Sequence, residues 1–259
     1  MNSLELHRLV IAFALAAVRL SGCMMILPAM SDSMITGTAR RVAILAFAAL
    51  VLPHVLAGMP PGEPSMLALG VVAVKEVVIG VLIGFFASVP FWIAENIGNF
   101  IDNQRGATMG EVYSPLSGTQ VSTTGIFFTQ LVSSIFFASG AVFLVLGAVY
   151  SSYLVWPVFA SAPALASDAP AQILGSLDSM LQITVVISSP VIILMFLATL
   201  GLGLVNRTAP QLNVFFLSMP IKSALGVAML IIYLPFIMDK LMYAKESEVL
   251  APVLKLLGM

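Results

Sequence analysis

The apolar stretch at residues 66–93 decides the fold class of this chain. It reads MLALGVVAVKEVVIGVLIGFFASVPFWI, and Lys75 and Glu76 are its only charged residues. A helix needs about 20 predominantly apolar residues to cross the hydrocarbon core of a bilayer, and this stretch is longer. Strands of a membrane barrel would instead show strict alternation over about ten residues, which the continuous apolar run lacks. The stretch therefore predicts a membrane helix.

Five more apolar stretches of this kind surround it. They lie at residues 4–25, 42–56, 125–150, 173–204 and 214–238. The whole chain of 259 residues is 60% hydrophobic and only 9% charged, with a mean hydropathy of +1.07, whereas soluble domains are about a quarter charged. We therefore predict an all-α, multi-pass membrane protein with about six hydrophobic helices. The second stretch is short and contains Pro53, which suggests a buried or re-entrant half-helix.

The net charge and the rarer residue types exclude several classes of function. A formal net charge of −1 provides no basic field for nucleic acid. The single cysteine, Cys23, excludes an internal disulfide and a cysteine-based metal cluster. No Ser or Thr has a neighbouring His base and no glycine loop has a nucleotide-binding pattern, so we expect no enzyme activity, cofactor or metal. Lys and Arg are balanced between the two sides of a six-helix arrangement, so they do not orient it.

Two helical stripes of small residues predict close helix packing. Gly80, Gly84 and Ser88 lie at positions i, i+4 and i+8 of the third stretch, so one face of that helix lacks bulky side chains. A similar stripe in the fourth stretch consists of Gly125, Thr129 and Ser133. Such faces let membrane helices approach each other closely. The partner helix can belong to this chain or to another subunit, and the sequence leaves both alternatives open.

A polar helical face follows the third stretch. Glu95, Asn99 and Asp102 share this face. The opposite face is apolar and consists of Ile93, Ile97, Phe100 and Ile101. Arg105 comes three residues after Asp102 and is placed to form an ion pair with it. The pattern predicts a helix that borders water or a polar cavity.

The next loop is rich in glycine and small polar residues. Gly106, Gly110, Pro115 and Gly118 interrupt regular structure, and the loop also contains the apolar Met109. Irregular backbone lies at membrane depth only where protein or a wet cavity satisfies its polar groups. A solvated surface loop is the alternative, and the pattern does not decide between the two.

Charged residues also occur inside the apolar stretches. Arg19, Lys75, Glu76 and Lys222 each cost a few kcal/mol at the bilayer centre unless they are paired or face water. Lys75 and Glu76 point about 100° apart on a helix, so at least one of them needs a partner on another element.

Lys222 lies in a stretch that proline interrupts. Pro210 and Asn213 precede the last apolar segment, and Pro220 comes two residues before Lys222. A broken helix with a buried cation occurs both at transport sites and at subunit joints. One hypothesis is therefore a stand-alone transporter or channel that uses Lys75, Glu76 and Lys222.

Two motifs give the chain a family resemblance. The first runs from PFWIAE at residues 90–95 into FIDNQRG at residues 100–106, and the second is RTAPQLNVFFLSMPIKS at residues 207–223. Both resemble the T component of the type III secretion export apparatus, called SctT, HrcT, YscT or SpaR, with flagellar FliR as a relative. The likeness covers nearly the whole chain, and the DNQRG wording is similar to the injectisome branch.

The resemblance implies an architecture and a set of partners. It implies kinked helical hairpins, with an R-like unit at about residues 1–160 and an S-like unit at about residues 161–259. It further implies a hetero-oligomer with R and S subunits in the bacterial inner membrane, raised towards the periplasm, with switch protein U on the cytoplasmic side. Unfolded secreted proteins would pass through this export gate.

The resemblance also implies roles for particular residues. Residues 106–123 would plug the closed pore, and this segment contains Gly106, Met109, Gly110, Pro115 and Gly118. Residues 207–223 would form a subunit joint, which contains Arg207, Pro210, Asn213, Pro220 and Lys222.

Overall fold

The chain is helical throughout the part that the structure describes. The computed structural model describes residues 3–31, 34–62, 64–106, 122–160, 169–208, 211 and 214–247. Its helices are α1 (Ser3–Ile26), α2 (Gly37–Ala57), α3 (Met66–Arg105), α4 (Thr123–Ala138), α5 (Ala141–Val155), α6 (Ala169–Thr208) and α7 (Val214–Ser247), with a short 3-10 turn at Pro28–Met30. No strand occurs in these ranges, so the predicted all-α class is confirmed.

The number of hydrophobic helices also agrees with the sequence. Among the residues that the structure describes, five helices are long and apolar enough to cross a membrane, and the pair α4 and α5 makes a sixth if the two count as one bent span. The chain is therefore an integral membrane protein with five or six candidate spans, which confirms the prediction of about six.

The fourth predicted helix, residues 125–150, is wrong in one respect. The chain breaks after Ala138 into α4 and α5, which bend by 74° relative to each other. Gly140 stands at the break with a φ of 73°, a left-handed conformation that glycine adopts without a Cβ penalty. The apolar run hid this break because hydropathy does not register backbone conformation.

The second predicted segment is also corrected. α2 has 21 residues and runs through Pro53, so it is a helix of spanning length and not a half-helix. It begins at Gly37, before the apolar run, because the polar residues at its start are still compatible with a helix. Prolines are likewise tolerated inside α3, α6 and α7, as is common in membrane helices.

The chain divides into two compact units that interleave in sequence. The first contains α1, α2, α3 up to Val89, the end of α4, α5 and the start of α6. Helix α1 packs against α2, and Leu20, Phe86 and Tyr153 are fully buried in this unit.

The second unit contains α3 from Pro90, the start of α4, α6 from Leu177 and α7 up to Lys245. Its buried side chains include Ile97 on α3, Phe128 on α4 and Met195 on α6. The predicted division into an R-like and an S-like part refers to the folds of other proteins. These two units do not test it, so it stays a prediction.

Candidate functional site

The small-residue stripe on α3 packs against α1 of the same chain. A Cβ on Gly84 would lie 2.6 Å from the carbonyl oxygen of Cys23, and one on Gly80 would collide with the carbonyl oxygen of Arg19. Ser88 Oγ donates to the carbonyl oxygen of Ile26 at 3.2 Å. The sequence left open whether this stripe packs on a helix of this chain or on another subunit, and in the structure it packs on a helix of this chain. The close approach also brings Arg19 beside α3.

Arg19 and Glu76 form a fully buried ion pair at this contact. Arg19 Nε lies 2.6 Å from Glu76 Oε2, and Arg19 Nη2 lies 2.9 Å from Glu76 Oε1, with both side chains 0% exposed. Arg19 also donates to Ser152 Oγ at 2.9 Å and to the carbonyl oxygen of Trp156 at 2.8 Å. Its guanidinium carbon lies 4.0 Å from the centre of the Tyr153 ring. This satisfied geometry is the arrangement that a buried ion pair requires.

Lys75 extends the cluster to the end of α5. Its Nζ donates to the carbonyl oxygens of Pro157 at 3.2 Å, Val158 at 2.5 Å and Ala160 at 3.1 Å. The same Nζ lies 3.3 Å from Glu76 Oε1. These carbonyls follow the C-terminus of α5, where the helix dipole favours a cation.

The adjacent charges Lys75 and Glu76 were predicted to need at least one partner on another element, and both have one. Glu76 finds its partner on α1, as the 100° separation from Lys75 required, and Lys75 binds the backbone beyond α5. The three charges thereby hold α1, α3 and the end of α5 together. For an ion path, Glu76 is poorly suited because it is fully buried and already bonded at both oxygens.

A second polar cluster, centred on Asp102, lies in the second unit. Asp102 Oδ2 accepts from Ser122 Oγ at 2.7 Å and from the backbone N–H of Thr124 at 2.9 Å. Asp102 Oδ1 accepts from Thr124 Oγ1 at 2.6 Å, and Arg105 Nη2 lies 2.8 Å from the same oxygen. The carboxylate thus caps the first turn of α4, where unpaired N–H groups and the helix dipole favour an anion.

The Asp102 cluster joins the two ends of residues 107–121. Asp102 and Arg105 come before this segment, and Ser122 and Thr124 come after it. Gly106 follows α3 with a φ of 79°, which favours glycine. Met109, Gly110, Pro115 and Gly118 lie outside the described residues.

The predicted polar face of α3 requires a correction. Asp102 is 1% exposed, whereas Glu95 is exposed and Asn99 is partly exposed. Phe100, assigned to the apolar face, is 39% exposed. The accessible side of the helix is therefore rotated away from Asp102.

Gly98 explains this rotation. Its Cα approaches the backbone of Gly125 so closely that a Cβ would collide there. Gly98 lies one helical turn before Asp102, so the contact with α4 that buries Gly98 covers Asp102 as well. Gly98 is not among the residues predicted from the sequence, although its four-residue spacing from Asp102 was the available signal.

The second motif spans the connection between α6 and α7. Arg207 is exposed in the last turn of α6, and Pro220 lies inside α7. Lys222 is partly exposed, and none of its contacts among the described residues is an ion pair with an acid. Pro210 and Asn213 lie outside the described residues.

Comparisons with known proteins place the chain among bacterial export proteins. The family model described as "Bacterial export proteins, family 1" matches residues 10–246. The chain is 38% identical over 228 residues to Yop proteins translocation protein T of Yersinia pestis, covering 88% of this chain and 87% of that protein. It is 30% identical over 231 residues to surface presentation of antigens protein SpaR of Salmonella typhimurium, covering 88% and 85% of the two chains.

A flagellar protein is also similar. Flagellar biosynthetic protein FliR of Bacillus subtilis is 30% identical over 189 residues, which cover 72% of this chain and 73% of that protein. The resemblance that the two motifs carry is therefore confirmed over most of the chain. This chain belongs to family 1 of the bacterial export proteins, the family of the type III export T components.

Proposed function

We propose that this chain is a structural and gating subunit of a type III secretion export apparatus. It assembles with R and S subunits around a pore for unfolded effector proteins and catalyses no reaction itself. Family membership supports both the export role and the assembly with other subunits.

Co-purification tests the assembly directly. The chain is produced with and without tagged R and S subunits, and the membrane fraction is solubilised in a mild detergent. We expect a stable hetero-oligomer with both partners, and no solute transport by the chain alone in liposomes. A monodisperse single chain that moves a small solute unaided would refute the assembly and favour a transporter.

The segment at residues 106–123 is proposed as the plug of the closed pore. The bonding at its two ends supports this role, because Asp102 holds Ser122 and Thr124 beside the end of α3. A segment with fixed ends stays at one place along the conduit while its middle yields to a passing chain.

Deletion of residues 107–121 tests the plug. The deletion keeps Asp102, Arg105 and Ser122, so the bonded ends remain available. We expect intact assembly with the R and S subunits and an increased leak of ions or small solutes across the membrane. Unchanged leakage from an intact complex would contradict the plug role. Replacement of the segment by a Gly/Ser linker of equal length is the control, because it keeps the chain length while changing the side chains that would block the pore.

Residues 207–223 are proposed as a subunit joint, with Lys222 as its cation. Lys222 sits in an apolar helix without an ion-pair partner among the described residues, and such a charge is costly unless a partner or water meets it. We expect Lys222→Glu to reduce co-purification with R and S, while Lys222→Arg preserves it. Full assembly of the Lys222→Glu variant with loss of export would instead favour a transport role for this residue.

The proposed location is the bacterial inner membrane, with the assembly raised towards the periplasm and switch protein U on the cytoplasmic side. The injectisome branch is favoured over the flagellar one, because the identity to the Yersinia relative is higher and extends over more of the chain.

A further inference from the structure

The accessible side of α3 in the second unit carries a row of amides and one acid. Glu95 and Asn103 are exposed, and Asn96 and Asn99 are partly exposed. We call these four residues the polar stripe. Viewed down the helix at 100° per residue, all four fall within about 100° of one another. Ile97 and Ile101, both 0% exposed, lie on the other side of the same helix.

The side chains of the polar stripe have no hydrogen-bonding partner in the described part of the chain, and Asn99 Oδ1 packs beside Gly125 of α4. None of its four side chains donates or accepts a hydrogen bond there, and Glu95 has no ion-pair partner there. The Asp102 and Arg105 side chains further along α3 are bonded to each other and to the start of α4. The stripe thus borders the cap of α4 at Asn99 but takes no part in its hydrogen bonds.

Lipid does not suit this surface. A carboxylate at membrane depth costs a few kcal/mol, and each unpaired amide adds a desolvation cost of about 1–3 kcal/mol. The summed desolvation cost of one acid and three amides exceeds the free energy that lipid contact of a single exposed ring such as Phe100 provides. The surface needs water or a hydrogen-bonding partner.

We infer that the polar stripe lines the water-filled conduit and contacts the unfolded polypeptide in transit. This inference rests on the proposed export function and identifies where on this chain the substrate touches. Asn103 is next to Asp102, which bonds Ser122 at the far end of the segment proposed as the plug.

The chemistry of asparagine fits an unfolded polypeptide of any sequence. Each side-chain amide offers donors and an acceptor, which match the N–H and C=O groups of an extended backbone. Asn96 and Asn103 are separated by about 10.5 Å along the helix, the length of about three residues of an extended chain. Amides bind these groups without preferring either sign of side-chain charge, and Glu95 adds only a single charge.

Single-cysteine labelling tests the inference. Cys23 is the only cysteine of the chain, so a Cys23→Ala background is free of native thiols. Asn96→Cys, Asn99→Cys and Asn103→Cys are assembled with the R and S subunits in secreting cells and treated with a membrane-impermeant thiol reagent. Ile97→Cys and Ile101→Cys are buried controls, and Phe196→Cys on α6 is an exposed apolar control.

We expect labelling at the three Asn positions to be at least about tenfold faster than at the buried controls, since local opening that costs about 1.4 kcal/mol already slows a reaction tenfold. A secretion substrate fused to a domain that resists unfolding should stall in the conduit and protect these positions. A photoreactive amino acid at position 99 should then form an adduct with the stalled substrate.

Two results would overturn the inference while leaving the proposed function intact. One is an assembled complex whose three positions are unlabelled and whose position 99 forms an adduct with an R or S subunit, which would make the stripe a subunit contact. The other is labelling that the stalled substrate does not change. Failure of the Cys23→Ala chain and the native chain alike to assemble with R and S would overturn the proposed function together with this inference.

Discussion

Neutralising Glu76 should destabilise the first unit strongly. Glu76→Gln preserves the size and shape of the side chain but removes the anion between Arg19 and Lys75. Two cations then remain close together, one of them fully buried. Breaking a buried ion pair by removing one partner costs about 3–5 kcal/mol. We expect the low end, about 3 kcal/mol, because Arg19 keeps its bonds to Ser152 and Trp156.

A double-mutant cycle isolates the pair from its surroundings. Arg19→Met removes the guanidinium, but Lys75 Nζ stays 3.3 Å from Glu76 Oε1, so Glu76 still has a cation as a partner. In the double variant of Arg19→Met and Glu76→Gln no buried charge of this pair lacks its counterpart, so the second change adds little to the cost of the first. We therefore expect the double variant to be about as stable as the less stable single variant, with a coupling of about 2 kcal/mol or more.

Unfolding of the purified chain by SDS in mixed micelles measures these differences. The chain has two tryptophans, and Trp156 lies in the cluster itself, so its fluorescence reports on this site. Arg8→Met is the matched control, because within the described residues Arg8 donates to the carbonyls of Met59 and Pro60 near the surface. Additive effects of the two single changes, or a Glu76→Gln variant as stable as the control, would refute a structural ion pair.

Two further changes test the helix contacts. Gly84→Ala should lower the free energy of unfolding clearly, because its Cβ would lie 2.6 Å from the backbone oxygen of Cys23, whereas Gly147→Ala, with open space around it, should be neutral or slightly stabilising in the same SDS titration. Asp102→Asn should weaken the cap of α4 by about 1 kcal/mol and leave Arg105 without its counterion; amide hydrogen exchange should accelerate in the first turn of α4, and unchanged protection there would count against the cap.

The sequence predicts the helices better than their ends. Continuous apolar runs locate every hydrophobic segment, because a span needs both length and low polarity. Hydropathy fades where charges begin, so the start of α2 at Gly37 was missed although the helix continues there. Gly140 was missed for the opposite reason, since an apolar run conceals a residue whose backbone angle breaks the helix.

The contacts of the candidate site are likewise predictable from the sequence only where they are local. The pairing of Asp102 with Arg105 follows from a spacing of three residues, which is local. The pairing of Glu76 with Arg19 depends on which helices pack together and in which register, and the two residues are 57 positions apart. The burial of Asp102 likewise depends on the approach of α4 at Gly98, which a single helical face does not reveal.

The Arg19–Glu76 pair has a consequence for biosynthesis. The ribosome completes α1 well before it makes Glu76, and Ser152 and Trp156 emerge later still. During that interval the arginine in α1 has no counterion, at a cost of about 2.5–3.5 kcal/mol at the centre of the membrane. Stable insertion of α1 is then a joint event with α3, and a nascent chain that ends before residue 76 should be held by the insertion machinery or removed by quality-control proteases.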